Sequence, residues 1–240
     1  ASNALIFTVA GPTVNPGGTV NGASFSAGAA VSPGSIASVF GTSFTLLQGP
    51  VTVRMNGTTA PVFAVSDTQI NLQVPWEMAG LAQSNLTVSA GGVTSRPVDV
   101  SLTTFAPGIF STNSSGNGQG AILIANTASL AAPAGMFPGS QPVSRGEFIS
   151  IFCTGLGPVS NQPPTGVSAS DNPPSLTTTT PTVTIGGITM EADFSGLAPA
   201  FFGLYQVNVQ VPSNAPTGDA VEVVLTIGGV ASNTVTIAVE

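Results

Sequence analysis

The chain has 240 residues, enough for one large domain or two of ordinary size, and apolar residues make up 42% of it. Only 5% of its residues are charged, and three arginines stand against ten carboxylates, with no lysine and no histidine. A chain with a net charge of −7 cannot neutralise a run of phosphates, which argues against nucleic acid or an anionic membrane surface as a partner.

The first residues of the chain are predicted to comprise a tag remnant and a strand or linker. Ser2-Asn3-Ala4 resembles the remnant of a cleaved affinity tag, and residues 5–9 (Leu-Ile-Phe-Thr-Val) predict a leading strand. We therefore assign residues 1–22 to a tag remnant with a leading strand or linker. No apolar run reaches the ~18 residues of a membrane-spanning helix, so membrane insertion is not expected.

Short apolar runs separated by turn residues follow, a pattern typical of β-strands. The predicted strands of the first part cover residues 35–40, 50–55, 61–65, 69–74, 84–89 and 93–102, with a turn of helix within 76–82. Residues 107–130 are predicted to supply the first strands of a second part. Its later strands cover 147–152, 182–186, 188–194, 204–211, 221–227 and 230–239.

Three sequence blocks occur twice, in the same order. Residues 69–75 match 206–212, residues 91–95 match 228–232, and residues 34–40 match 146–152. The spacing differs because the second copy carries two additional segments. One is a Pro/Thr-rich stretch at 157–181, predicted to be a surface loop, and the other is an apolar stretch at 195–203, expected to pack against another part of the protein.

Six or seven short strands per copy are typical of an immunoglobulin-like sandwich. We therefore predict an all-β protein with two tandem immunoglobulin-like β-sandwich modules related by an internal repeat. The first is placed at residues 23–105 and the second, larger one at 106–240. Any specialised surface or seam between the modules is expected at 157–181 and 195–203.

One strand of each copy alternates strictly between apolar and amide residues, so one face is core and the other carries a row of amides. These rows, together with the two large polar-tipped rings Trp76 and Tyr205, are the candidate ligand-binding residues. The amide residues are Gln69, Asn71 and Gln73 in the first copy, and Gln206, Asn208 and Gln210 in the second. For the two rings, packing across the seam is the alternative interpretation.

Several short motifs occur in a fixed order from about residue 20 onward. They are Asn21-Gly22-Ala23-Ser24-Phe25, Pro33-Gly34-Ser35-Ile36, the two amide strands, Ala106-Pro107-Gly108-Ile109-Phe110, Thr154-Gly155-Leu156-Gly157 and Gly203-Leu204-Tyr205. This ordered set resembles the uncharacterised C-terminal domain of Solibacter-type acidobacterial exported proteins. The half-repeats also resemble immunoglobulin-like modules of the IPT/TIG type. The first resemblance implies a module appended to a large exported protein and assigns no function.

The composition argues against an enzyme. Without histidine or lysine the commonest general bases are missing, and a Ser-His-Asp or Cys-His site cannot form. Cys153 lies in an apolar strand and is interpreted as a buried small hydrophobe. Glu191 and Asp193 are predicted to share a strand face, which keeps a glycosidase open as a remote alternative.

No cofactor is expected, and zinc is excluded by one cysteine and no histidine. Calcium needs only oxygen ligands, so a structural calcium site remains a minor alternative. The candidate loops are residues 113–118, Asp171-Asn172, and Asp219 with Glu222.

The sequence thus predicts a non-catalytic structural or interaction module of a secreted or cell-surface bacterial protein. Its expected partners are other domains of the parent protein, or protein or polysaccharide at the cell surface. The alternative is a carbohydrate-binding module that binds polysaccharide through the amide rows and the two rings.

Overall fold

The computed structural model describes residues 11–240, and the predicted strand at 5–9 lies outside them. Within residues 11–105, the first half contains nine strands and one short 3₁₀ turn at Trp76–Met78. The strands are β1 (Thr13–Asn21), β2 (Ile36–Thr42), β3 (Val51–Met55), β4 (Thr58–Ala60), β5 (Val62–Val65), β6 (Gln69–Gln73), β7 (Gln83–Ala90), β8 (Val93–Thr94) and β9 (Val98–Ser101).

The second half contains ten strands within the described residues. They are β10 (Gly108–Ile109), β11 (Ile122–Ile124), β12 (Phe148–Thr154), β13 (Thr182–Ile185), β14 (Ile188–Glu191), β15 (Phe194–Leu197), β16 (Tyr205–Gln210), β17 (Gly218–Ile227), β18 (Val230–Ala231) and β19 (Val235–Val239). As predicted, residues 107–130 supply the first two strands of this half.

Each half forms two antiparallel sheets with the same strand order. In the first half the sheets are β1-β2-β6-β5 and β4-β3-β7-β8, with β9 also paired to β7. In the second half, β12, β16 and β15 pair in the same order after β10 and β11, and β14-β13-β17-β18 forms the other sheet with β19. The inward residues of the two sheets in each half form an apolar core. The prediction of tandem immunoglobulin-like sandwiches is confirmed.

The internal repeat extends to individual hydrogen bonds. Gln69 Nε2 donates to Asn71 Oδ1 at 2.8 Å, and Gln206 Nε2 donates to Asn208 Oδ1 at 2.9 Å. In both copies the next glutamine donates to a glycine carbonyl, Gln73 to Gly34 at 3.4 Å and Gln210 to Gly146 at 2.7 Å. Matched side chains therefore have matched partners, which makes the two copies equivalent in structure as well as in sequence.

Three predicted strands are each divided in two, for physical reasons. Ser95 Oγ accepts the Val88 N–H at 3.0 Å, and Ser232 Oγ accepts the Leu225 N–H at 3.0 Å, so a side chain replaces a backbone partner at each break. The 188–194 run divides where the chain changes sheets: β14 pairs with β13, whereas β15 pairs with β16. The structure also adds β1 and β4, which the sequence pattern did not predict.

The two additional segments of the second copy lie along the edge of its sheet and against the first half. Leu176 bridges Gly196 of β15, and the Thr177 N–H donates to the Ser195 carbonyl at 3.0 Å, so the 157–181 loop covers this edge strand. An uncovered edge offers unpaired backbone groups to other chains. The equivalent strand β5 is the outer strand of its own sheet, with Phe63, Ala64 and Val65 exposed.

Candidate functional site

The contact region between residues 11–105 and residues 106–240, which we call the seam, combines polar contacts with aromatic packing. It begins where the two halves join. Asn21 is 2% exposed, its Nδ2 donates to the Ala106 carbonyl at 2.7 Å, and its Oδ1 accepts the Ala23 N–H at 2.8 Å. One buried side chain thus ties the end of β1 to the connection between the halves.

Thr154 is the hydrogen-bonding centre of the seam. It is fully buried at the end of β12. Its Oγ1 accepts the Ile36 N–H at 2.8 Å and donates to the Gly203 carbonyl at 2.7 Å. The hydroxyl therefore joins the start of β2 in the first half to the segment before β16 in the second. A threonine suits this place because its hydroxyl both donates and accepts.

Replacing Thr154 by valine is expected to destabilise the protein by about 2–4 kcal/mol, because two buried backbone groups lose their partner. Urea unfolding followed by circular dichroism measures this change. Thr154→Ser, which keeps the hydroxyl, should cost less than about 1.5 kcal/mol. Equal losses in the two variants would show that the methyl group, and not the hydroxyl, matters at this position.

The 157–181 loop reaches back onto the first half through Thr165 and Gly166. Thr165 Oγ1 accepts the Trp76 N–H at 3.0 Å and donates to Glu77 Oε2 at 2.7 Å. The Gly166 N–H donates to Gln73 Oε1 at 2.8 Å. The loop thereby satisfies the polar groups at the end of β6 and the 3₁₀ turn that follows it.

Aromatic side chains close one side of the seam. The rings of Phe63, on β5, and Phe202, in the 195–203 segment, are stacked with centroids 4.4 Å apart and an interplanar angle of 12°. Phe201 beside them is 56% exposed. The expectation that the apolar segment packs against another part of the protein is met by Phe202, while Phe201 adds an exposed ring at the edge of the contact.

The structure places both candidate rings inside the protein. Trp76 is 6% exposed and belongs to the apolar core of the second half, and Tyr205 is fully buried. The Tyr205 hydroxyl donates to the Gly157 carbonyl at 2.6 Å, and burial, with a smaller effect of Cys153, raises its pKa. In this conformation neither ring offers a face on which a sugar stacks. For Trp76, the structure therefore supports the alternative interpretation, packing at the seam.

The amide rows are only partly available to a ligand. Gln69, Asn71, Gln206 and Asn208 are half-buried and Gln210 is exposed, whereas Gln73 is buried under the 157–181 loop. In the first copy Ser38 joins the row, donating to Asn71 Oδ1 at 2.8 Å. Since these amides bond within their own rows or to glycine carbonyls, much of their hydrogen-bonding capacity is already used.

A cavity of about 460 Å³ opens at the seam. Its walls come from four places: residues 32–33 before β2, the 3₁₀ turn and the segment after it, the connection between the halves, and the start of the 157–181 loop. The lining residues include Pro33, Trp76, Leu81, Leu102, Thr104 and Gln162, and none of the residues that line it is charged. The volume lies within the ~300–1,000 Å³ range of small-molecule sites.

Trp76 has one unusual feature within this wall. Its indole Nε1 is buried and has no hydrogen-bond partner among the described residues. The far edge of the ring rests against Gly34, where any side chain would overlap it. An unmade hydrogen bond of this kind costs about 1–3 kcal/mol.

The remaining chemical candidates are not brought together. Glu191 and Asp193 are exposed, and neither lines the seam cavity. Within residues 11–240 no group of three or more acidic, cysteine or histidine side chains is placed to hold a metal ion. In the 113–118 loop, Asn113 Oδ1 accepts from Ser111 Oγ at 2.9 Å and from Ser115 Oγ at 2.7 Å, so the loop is closed by its own side chains.

Cys153 is fully buried, and desolvation raises its thiol pKa, which suppresses the reactive thiolate. No helix in the described part of the chain is long and apolar enough to cross a membrane.

Sequence reasoning missed Thr154 and Thr165 as seam residues. Thr154 lies within one of the motifs that carry the family resemblance, and that position in the motif could have marked it as important. Thr165 lies in a loop without periodicity, and its partners are 88 and 89 residues away, so nothing local marks it.

Comparisons with known proteins show similarity of fold only. No family model matches the chain, and no curated protein matches it. The resemblance to the Solibacter-type domain therefore stays a prediction. Among solved structures, the chain is similar to SGBP-B of the Bacteroides ovatus mixed-linkage glucan utilization locus, solved in complex with a mixed-linkage heptasaccharide. The sequence identity is 13%, the match covers 88% of this chain and 42% of that chain, and the TM-score is 0.37.

A γ-CGTase from an alkalophilic Bacillus clarkii matches at 14% identity over 92% of this chain and 24% of that one, with a TM-score of 0.31. The tandem Ig repeats of Dlar match at 14% identity over 97% and 96% of the chains, with a TM-score of 0.24. The chain spans less than half of the length of the first two structures. At these TM-scores no functional argument passes from them to this protein.

Proposed function

We propose that this protein is a non-catalytic interaction module in which two immunoglobulin-like sandwiches are held at a fixed angle by the seam. The observation that supports this proposal most directly is the double hydrogen bond of the buried Thr154 hydroxyl to both halves. Trp76 inserted into the second core and the Thr165 contacts act in the same direction. A unit joined in this way presents surfaces at a defined separation, which a flexible linker does not.

The chemistry of the chain supports a role without catalysis. It has no histidine or lysine, and its one thiol is buried. We place the protein outside the cytoplasm, at the cell surface or secreted, as the low-charge, lysine-free composition suggests, with neighbouring domains, proteins or polysaccharides as partners.

Spin labels on the two halves test the fixed angle. Labels at Thr59→Cys on β4 and Glu222→Cys on β17, both exposed, are introduced in a Cys153→Ala background. Pulsed dipolar spectroscopy should give one narrow distance distribution. A broad distribution, as for sandwiches on a flexible tether, contradicts the proposal. So does turnover of generic ester, glycoside or peptide substrates by the purified chain.

Carbohydrate binding is the second candidate function. The seam cavity favours it, since its lining combines apolar surface with neutral hydroxyl and amide groups and carries no charge.

A further inference from the structure

We infer that the seam cavity binds a neutral oligosaccharide, and this inference rests on the proposed non-catalytic interaction function. The cavity lies between four chain segments that are far apart in sequence, so it exists only while the two sandwiches hold their arrangement. A fixed seam therefore both limits motion and shapes a site.

The polar groups at the cavity are suited to hydroxyl-rich ligands. Among residues 11–240, the side chains of Thr103, Thr104 and Gln162 make no hydrogen bonds. Thr104 and Gln162 are exposed, and Thr103 is half-buried. Each of these side chains both donates and accepts, which matches a sugar hydroxyl that does the same. A proline-rich peptide would match them less well, because proline offers carbonyl acceptors but no N–H donor.

The apolar part of the wall fits the C–H face of a sugar ring. Leu81 is 44% exposed beside the buried Leu102 and the edge of Trp76. An exposed leucine next to a cavity retains apolar surface that a ligand removes from water, which favours binding. The wall thus offers both apolar area and hydrogen-bonding groups.

Charge selects among sugars. No charged side chain lines the cavity, and the chain carries a net charge of −7 with three arginines. Long-range repulsion therefore disfavours uronic or sulfated sugars, and no cation is present in the wall to pair with them. A neutral glycan avoids both costs.

The indole of Trp76 carries an N–H that has no hydrogen-bond partner among residues 11–240. Because the ring lines the cavity, a bound ligand changes the environment of this indole. Trp76 is the only tryptophan of the chain, so the intrinsic emission reports this site alone.

Titration of the full chain with cellohexaose, maltohexaose, xylohexaose and mannohexaose tests the inference, with Trp76 emission and calorimetry as readouts. At least one should give a saturable emission change, and hexagalacturonate should bind at least tenfold more weakly. The double variant Thr104→Ala/Gln162→Ala should weaken binding by about tenfold, as expected for the loss of two hydrogen bonds. Thr59→Ala, exposed on β4 and outside the cavity, is the matched control and should bind as the parent does.

Three results would overturn the inference: no saturable change with any of the four neutral oligosaccharides, unchanged affinity in the double variant, or saturation by decaproline alone. Chromatography of the same samples separates this outcome from the proposed function. Shortened oligosaccharides would contradict a non-catalytic role even if the cavity binds them, whereas intact oligosaccharides that fail to bind overturn only the cavity assignment.

Discussion

Replacing Gly155 by alanine is expected to destabilise the protein by at least about 4 kcal/mol, the largest single-residue effect at the seam. Gly155 has a φ of +81°, and a Cβ built there would overlap the carbonyl oxygen of Ala106. That carbonyl cannot move away freely, because it accepts Asn21 Nδ2 at 2.7 Å and the Ala106 N–H donates to the Gly155 carbonyl at 3.0 Å. Urea unfolding followed by circular dichroism gives the free energy.

Gly57→Ala is the matched control for this change. Gly57 has a similar φ of +83° in the β3–β4 turn, but a Cβ there would meet nothing within 4 Å. Its substitution therefore isolates the cost of the left-handed backbone, about 1–2 kcal/mol. Should Gly155→Ala lose no more stability than Gly57→Ala, the close approach of the two chain segments at the seam would be refuted.

The regular part of the fold could be predicted because its signals are local. Alternation in residues 69–74 and 204–211 identified the central strands, and the turn residues between the apolar runs separated them. Gly91, Gly92, Gly228 and Gly229 all have positive φ values, as those turns require. Repetition of the blocks then gave two copies of one sandwich without any information about contacts.

Two of the three strand breaks could not be predicted because a side chain lies at each of them. Ser95 and Ser232 lie in sequence segments that predict continuous strands. Their hydroxyls accept the backbone N–H groups of Val88 and Leu225, and the regular strand pairing ends there. A serine in a strand has the same sequence appearance whether its hydroxyl faces solvent or a backbone N–H.

The seam could be located from the sequence but not described. The additional segments at 157–181 and 195–203 indicated where the second copy differs, and both contribute to the contact. Which residues meet there depends on the angle between the sandwiches, and that angle has no periodic signature. For this reason Trp76 was open to two interpretations, exposed platform or seam residue, until its burial was known.

Replacing Trp76 by alanine is expected to destabilise the protein by about 3–5 kcal/mol, since it removes a large buried ring from the second core. The effect should extend to the coupling between the sandwiches, because this ring belongs to a first-half turn but packs in the second half. The spin-label distance distribution between Thr59→Cys and Glu222→Cys should therefore broaden in this variant. Circular dichroism measures the stability, since the intrinsic emission is lost with the ring.

Trp76→Phe separates packing from hydrogen bonding at the same position. Phenylalanine keeps most of the ring against Gly34 and removes the N–H that has no partner, so the lost packing is partly offset. We expect a loss of about 1–2 kcal/mol and an unchanged, narrow distance distribution. If phenylalanine broadens the distribution as much as alanine does, the shape of the indole, and not apolar filling, fixes the angle between the sandwiches. If alanine leaves the distribution narrow, Thr154 and the 157–181 loop hold that angle without the ring.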